Sequence, residues 1–296
     1  LVREGLFQGA AETIFGEGWE DRSALKDFTT FDKAFPLLVA GVPAALVGAG
    51  GARRRLAERL ERPRGEVSAL VQERMAAQNP AFAAERGQVE LSLLWAAVAN
   101  TVPAAFWTLA HLIATPDALA AVQAEVQEKL PGPLSAEAVS GLPLLQSAVH
   151  EALRLSSASL TVRRAQRATE ITVDSGERYA IRQGDLVCLF PYLMHHNPEI
   201  FENPEQFQLD RFLSRGAPPA FHLRGRRLAM PLMPYGGGVS MCPGRALANT
   251  EIKQFVAGLL RRFRLSSAGA PLPRADKGRA GLGVLPPVGD YPIHTS

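Results

Sequence analysis

The sequence predicts a mainly α-helical fold with a small β-meander. Apolar residues recur at helical spacing through most of the first half of the chain. Between Glu170 and Phe190 the runs become short and rich in β-branched and aromatic residues, separated by Asp174-Ser175-Gly176 and Gln183-Gly184. Past Phe190 the chain is punctuated by prolines at 191, 198, 204, 218, 219, 231, 234 and 243 before one last helical run.

In chain order, Leu1 to Ala11 carries Arg3 and Glu4 and no initiating Met, so no signal peptide is read and the chain is expected to begin mid-protein. Phe35 to Ala52 is apolar but holds Pro36, Pro43 and four glycines, which argues against a spanning helix. It is read either as a segment dipping into a bilayer surface or as an ordinary hydrophobic loop. Leu56 to Ala77 reads as one amphipathic, arginine-rich helix. Val89 to Ala114 is a longer apolar helix, better suited to a core than to a membrane because Asn100, Thr101 and Pro103 lie at its centre. The Pro103 ring crowds the carbonyl of Ala99, so a bend is expected there. Pro116 to Leu130 forms a third helix opened by Thr115-Pro116-Asp117, and a fourth runs from about Leu142 to Leu155. Glu170 to Val173, Tyr179 to Arg182 and Leu186 to Phe190 supply the strands, and Arg245 to Arg262 the final helix. No repeat or linker divides residues 1–296, so a single domain is expected.

The 296 residues are 47% hydrophobic and 21% charged, enough apolar surface to offset the entropy of ordering. A net charge of +3, with no basic run interleaved with aromatics, argues against nucleic acid as a partner. The two cysteines, Cys188 in an apolar run and Cys242 in a Gly/Pro loop, do not form a disulfide framework.

Three motifs carry chemistry. In Pro234-Tyr235-Gly236-Gly237-Gly238-Val239-Ser240-Met241-Cys242-Pro243-Gly244-Arg245, one cysteine is presented at the start of a helix, where free N–H groups and the helix dipole favour negative charge on sulfur. The glycines let the backbone approach a flat ligand. A flexible loop with a free thiol remains an alternative; a redox thiol or zinc site is a weaker one, since no second Cys or His stands at ligand spacing. Glu151 and Arg154 share a helix face flanked by apolar residues, and Asp210-Arg211-Phe212 offers Arg211 as a third member of a partly buried ion group. Pairs at this spacing are usually solvated. In the apolar helix, Ala96 and Ala97 leave free volume beside Asn100 and Thr101, a bent turn suited to dioxygen and water, or simply a kinked core helix.

Taken in this order, the motifs resemble those of a cytochrome P450 over essentially the whole chain, and imply the carboxy-terminal part of that fold. Leu142-Pro143, His195-His196-Asn197-Pro198 and Asn203-Pro204-Glu205-Gln206-Phe207 are similar to further landmarks of the family. The resemblance implies haem b (iron protoporphyrin IX) with Cys242 as proximal iron ligand, Tyr235, Gly238 and Gly244 around it, and Arg163 on a haem propionate. Glu151, Arg154 and Arg211 would form a structural ion triad. Tyr235 stands where the family usually has Phe, Ser240 where Arg or His is common, and Asn100 where an acid precedes the threonine.

Those departures, with Phe31-Asp32-Lys33-Ala34-Phe35-Pro36 and Ala280-Gly281-Leu282-Gly283-Val284-Leu285-Pro286-Pro287, resemble the steroid 7α-hydroxylase branch, which acts on cholesterol and oxysterols. The implied activity is 7α-hydroxylation of a sterol, using O2 and electrons from NADPH through cytochrome P450 reductase, on the cytosolic face of the endoplasmic reticulum membrane. Asn100 and Thr101 would relay protons to dioxygen. Ala96, Ala97, Ser159, Leu160, Thr161, Leu282, Gly283 and Val284 would line the sterol site. A basic face of Arg224, Arg226, Arg227, Lys253, Arg261 and Arg262 would meet an acidic reductase, or be merely solvated. Sterol 12α-hydroxylation, a prostacyclin-synthase-like haem isomerase and an inactive haem-fold fragment stay open; Thr101 disfavours the isomerase.

Overall fold

The computed structural model describes residues 1–77, 85–173, 175–214 and 216–296; Asp174, part of the turn read above, lies outside them. Among the described residues nine helices come first: α1 Val2–Phe15, α2 Arg22–Val39, α3 Gly50–Glu61, α4 Ala69–Ala77, α5 Arg86–Val98, α6 Thr101–Ala114, α7 Pro116–Lys129, α8 Ala136–Ser140 and α9 Pro143–Ser156. Four short strands follow: β1 Thr161–Arg164, β2 Thr169–Thr172, β3 Arg178–Ile181 and β4 Leu186–Leu189. Then come α10 Pro191–His195, β5 His222–Leu223, β6 Arg226–Arg227, α11 Arg245–Arg262, β7 Leu265–Ser267 and β8 Ile293–Thr295.

Local chemistry explains the starts. The Asp21 carboxylate accepts from the Ser23 amide at 2.7 Å to open α2, and the Ser135 hydroxyl does the same for α8. Proline in the first turn opens α7, α9 and α10, where its missing N–H costs nothing. One apolar core gathers α6, α7, α9 and α11 around Leu112, Val122, Leu145, Val149 and Val256; each such side chain contributes about 2 kcal/mol on leaving water. A second joins α1, α2, α3 and α5 through Phe7, Trp19, Phe28, Leu56 and Leu94.

Three expectations change. The run Leu56 to Ala77 is two helices, because Pro63 and a left-handed Gly65 (φ 66°) break it and Arg64 bridges instead to Glu17. The strands do not form a continuous meander: β2 and β3 make a hairpin, but β4 pairs with β1, with Val162 opposite Cys188. Lys253 is buried, so it leaves the basic face.

The stretch Arg86–Ala114 is long and apolar enough to cross a membrane, yet two-thirds of its apolar window is buried in the protein (67%), as a core helix requires. The expected bend is a full break at Ala99–Asn100, just ahead of Pro103, with the Thr101 end packed against α9 and α11. Segment 35–52 divides between the end of α2, an exposed turn and the start of α3.

Acid stability follows from burial. Desolvation lowers His111, His150 and His195 from 6.5 to about 4; the Arg154 charge adds to the effect at His195, while at His111 the Glu151 carboxylate opposes it more than Arg154 aids it. Their neutral forms are the native ones, so this stability is complete above pH 6.5 and is lost as pH falls toward 4, up to roughly 3 kcal/mol for the fully buried His195. Glu251, raised by burial from 4.5 to about 7, acts with the opposite sign between those values, one group against three. The melting temperature is therefore expected to fall from pH 7 to pH 5; a rise on acidification would contradict this account.

Candidate functional site

At the helix break the Thr101 hydroxyl donates to the carbonyl of Ala97 at 2.8 Å, and the side chain is buried. Pro103 cannot donate back to Ala99, so the break persists without a competing helical bond. Ala97 is half-buried and Ala96 exposed. Asn100 does not face an open turn: its Oδ1 accepts the Val284 amide at 3.0 Å.

That bond draws the two predicted substrate segments together. The Ala158 amide donates to the Gly283 carbonyl at 2.8 Å, Leu160 to Gly281 at 3.1 Å and Leu285 to Ser156 at 2.9 Å. From α6, the Trp107 indole donates to the carbonyl of Leu285 at 2.7 Å. Ser159 and Thr161 are half-buried and Leu160 exposed on one side of this junction; Leu282 and Gly283 are half-buried and Val284 buried on the other. Trp107 was missed in the sequence because an indole in an apolar helix looks like core.

The ion group is complete. Arg154 forks onto Glu151 with two bonds of 2.8 Å, and Arg211 Nε donates to Glu151 Oε1 at 2.9 Å. Arg154 also donates to the carbonyls of His195 (2.6 Å) and Pro204 (2.7 Å), while the Gln208 amide donates to Glu151 at 3.2 Å. Both guanidinium groups lie over the Phe201 ring, at 5.1 and 5.9 Å. His195 closes the junction by accepting the Met233 amide on Nε2 at 2.9 Å, ahead of the cysteine loop. Sequence had placed His195 only as part of a landmark, since one histidine among prolines carries no contact signal.

The Cys242 amide donates to the Tyr235 carbonyl at 2.9 Å, closing the loop, and Gly236 (φ 71°) and Gly238 (φ 63°) occupy the left-handed region that permits the closure. A 3-10 turn, Gly238–Ser240, leads to Cys242, and Gly244 caps α11. Arg245 donates back to the Cys242 carbonyl at 3.1 Å. From β1, Arg163 Nη2 donates to the Ser240 hydroxyl at 2.6 Å, so a cation stands over the loop two residues before the thiol.

The loop fits a flat group with an apolar body and an anionic edge. Cys242 is a free, partly exposed thiol, Val239 stands wholly in the open beside it, and a side chain at Gly244 would sit 3.9 Å from Sγ. Arg163 supplies the charge an anionic edge needs. The Tyr235 phenol is buried without a hydrogen-bond partner. Its pKa is pushed up to about 12, by burial first and by the Cys242 charge second. A cavity of about 690 Å³ between α1, α2, α6 and the chain from Asp276 to Thr295 is not this site. It meets Val98, Val102, Phe106 and Ile113, a face of the helix turned away from Thr101.

Three comparisons bear on this geometry. The family model for Cytochrome P450 matches residues 53–292. The chain is 40% identical to Cholesterol 7-alpha-monooxygenase of Cricetulus griseus and 32% identical to 25-hydroxycholesterol 7-alpha-hydroxylase of Rattus norvegicus, over 96% and 89% of its length. It spans 63% of the first of these relatives and 68% of the second. A solved structure, a retinoic-acid-bound cyanobacterial P450, superposes with a TM-score of 0.77 at 21% identity, covering all of this chain and 68% of that one.

Proposed function

Because the chain belongs to the cytochrome P450 family, we propose that it forms the haem-thiolate part of a monooxygenase that hydroxylates a sterol, cholesterol or an oxysterol, at the 7α position. One observation carries the reading: the Cys242 thiol is presented by a glycine loop at the head of α11 with Arg163 turned onto that loop. The relatives' names supply the sterol and the position.

Haem held there would supply the centre at which dioxygen is activated with electrons from NADPH through a reductase. The protein's residues do the rest. Cys242 binds the metal, and Arg163 with Ser240 holds a carboxylate at the edge. Thr101, fixed on the Ala97 carbonyl, hands on protons. Segments 159–161 and 282–284 shape the sterol site. Leu37, Val39 and Leu46, exposed at 51%, 62% and 78%, favour contact with a bilayer surface, in keeping with the endoplasmic reticulum. With Lys253 buried, Arg224, Arg226, Arg227, Arg261 and Arg262, all exposed, make up the basic face offered to the reductase.

The carbon monoxide difference spectrum of the reduced protein tests the ligand, and sterol titration of the iron spin state tests the substrate. No red-shifted thiolate band, or no sterol response, sinks the corresponding half of the reading. Turnover that proceeds without reductase would favour an isomerase. Thr101→Ala is expected to raise reductant consumption per hydroxylated product several-fold, within the roughly 10²-fold span of a lost proton-transfer group. Unchanged coupling would remove Thr101 from proton delivery.

A further inference from the structure

We infer that Asn100 is a positioning residue: it latches the 281–285 loop onto the helix break, and acts on the substrate through that loop and not by carrying protons. The inference rests on the monooxygenase reading for its consequence, but the latch stands on geometry alone. Asn100 Oδ1 accepts the Val284 amide at 3.0 Å. Gly283 makes the approach possible: its φ of 132° suits glycine only, and a Cβ there would come within 2.8 Å of Asn100 Cγ and closer still to Oδ1. The amide of Asn100 therefore lies close against the Gly283 backbone.

The same few residues are held from the other side. Gly283 O accepts from Ala158, Leu285 N donates to Ser156, and Trp107 Nε1 caps the Leu285 carbonyl. One loop is thus pinned between the end of α9, the helix break and α6. Asn100 is the pin placed at the break itself. An oxygen already engaged by a backbone N–H is poorly available for shuttling protons.

Amide hydrogen exchange and sterol titration test this with Asn100→Leu, Asn100→Asp and Gly283→Ala. In Asn100→Leu, exchange at Val284 is expected to speed up roughly ten-fold, the effect of one lost hydrogen bond, and sterol affinity to fall by a similar factor. Asn100→Asp keeps an acceptor oxygen and should restore both. Gly283→Ala should speed exchange at least as much as Asn100→Leu, because it adds the strain of a positive φ to the lost contact, and the double variant should be no worse than Gly283→Ala alone, because both remove that one contact. Val284 exchange unchanged in Asn100→Leu overturns the latch. Faster exchange with sterol affinity intact overturns its role in positioning. If the unaltered protein shows no sterol response, the substrate reading fails while the exchange measurement still decides the latch.

Discussion

Cys242→Ala is expected to lose the thiolate carbon monoxide band and all hydroxylation, while its thermal stability stays within about 0.5 kcal/mol of the parent. The asymmetry comes from what the residue does for the fold, which is little. Its amide bond to Tyr235 and its carbonyl bond from Arg245 are backbone contacts that alanine keeps. The side chain is partly exposed, so its removal opens no cavity of consequence. Gly236 and Gly238 set the loop's shape and are untouched. Cys188, exposed on β4, is the matched control: Cys188→Ala should keep both band and activity. A band that survives in Cys242→Ala and vanishes in Cys188→Ala would place the metal ligand on the wrong loop, and the proposed chemistry would go with it.

What the sequence revealed and what it hid follow from how far each signal reaches along the chain. The α11 boundaries, Arg245 to Arg262, were legible because a Pro-Gly pair stops the loop and the apolar face repeats every three to four residues. The ion group was legible because an i, i+3 pair with apolar neighbours needs a third partner wherever the chain can supply one. β1 was hidden: Thr161 to Arg164 has two arginines and no apolar alternation, and only its pairing with Leu186–Leu189 makes it a strand. The break of Leu56 to Ala77 was hidden because amphipathic spacing on either side of Pro63 masked the interruption. Asn100 was legible as a polar break in an apolar helix, but its partner Val284 lies in a loop 184 residues away and donates through a backbone N–H that no side-chain pattern encodes. Long-range bonds to backbone are the part of a site that a sequence cannot display.

Glu151→Ala is expected to cost about 3–5 kcal/mol, the penalty of stranding a buried charge, and to lower the melting temperature by on the order of 10 °C. Glu151 and Arg154 are both wholly inaccessible, and Arg211 is 5% exposed at its side chain. Removing the carboxylate leaves two guanidinium groups facing each other with only carbonyls and the Phe201 ring to receive them. Glu151→Gln should cost less, because one amide oxygen still accepts from an arginine. Replacing Glu151→Leu together with Arg154→Leu removes one of the two stranded charges, but leaves Arg211 without its carboxylate and the carbonyls of His195 and Pro204 without their donor. The double variant should therefore recover only part of the loss, unlike an isolated buried pair, where apolar replacement is often neutral. Those two carbonyls tie α9 to the segment that runs on through Met233 to the cysteine loop, so haem affinity should weaken in step with stability. Urea midpoints of the four proteins decide it. A cost below about 1 kcal/mol for Glu151→Ala would mean the group is solvated in practice, and the rigid frame behind Cys242 would have to be sought elsewhere.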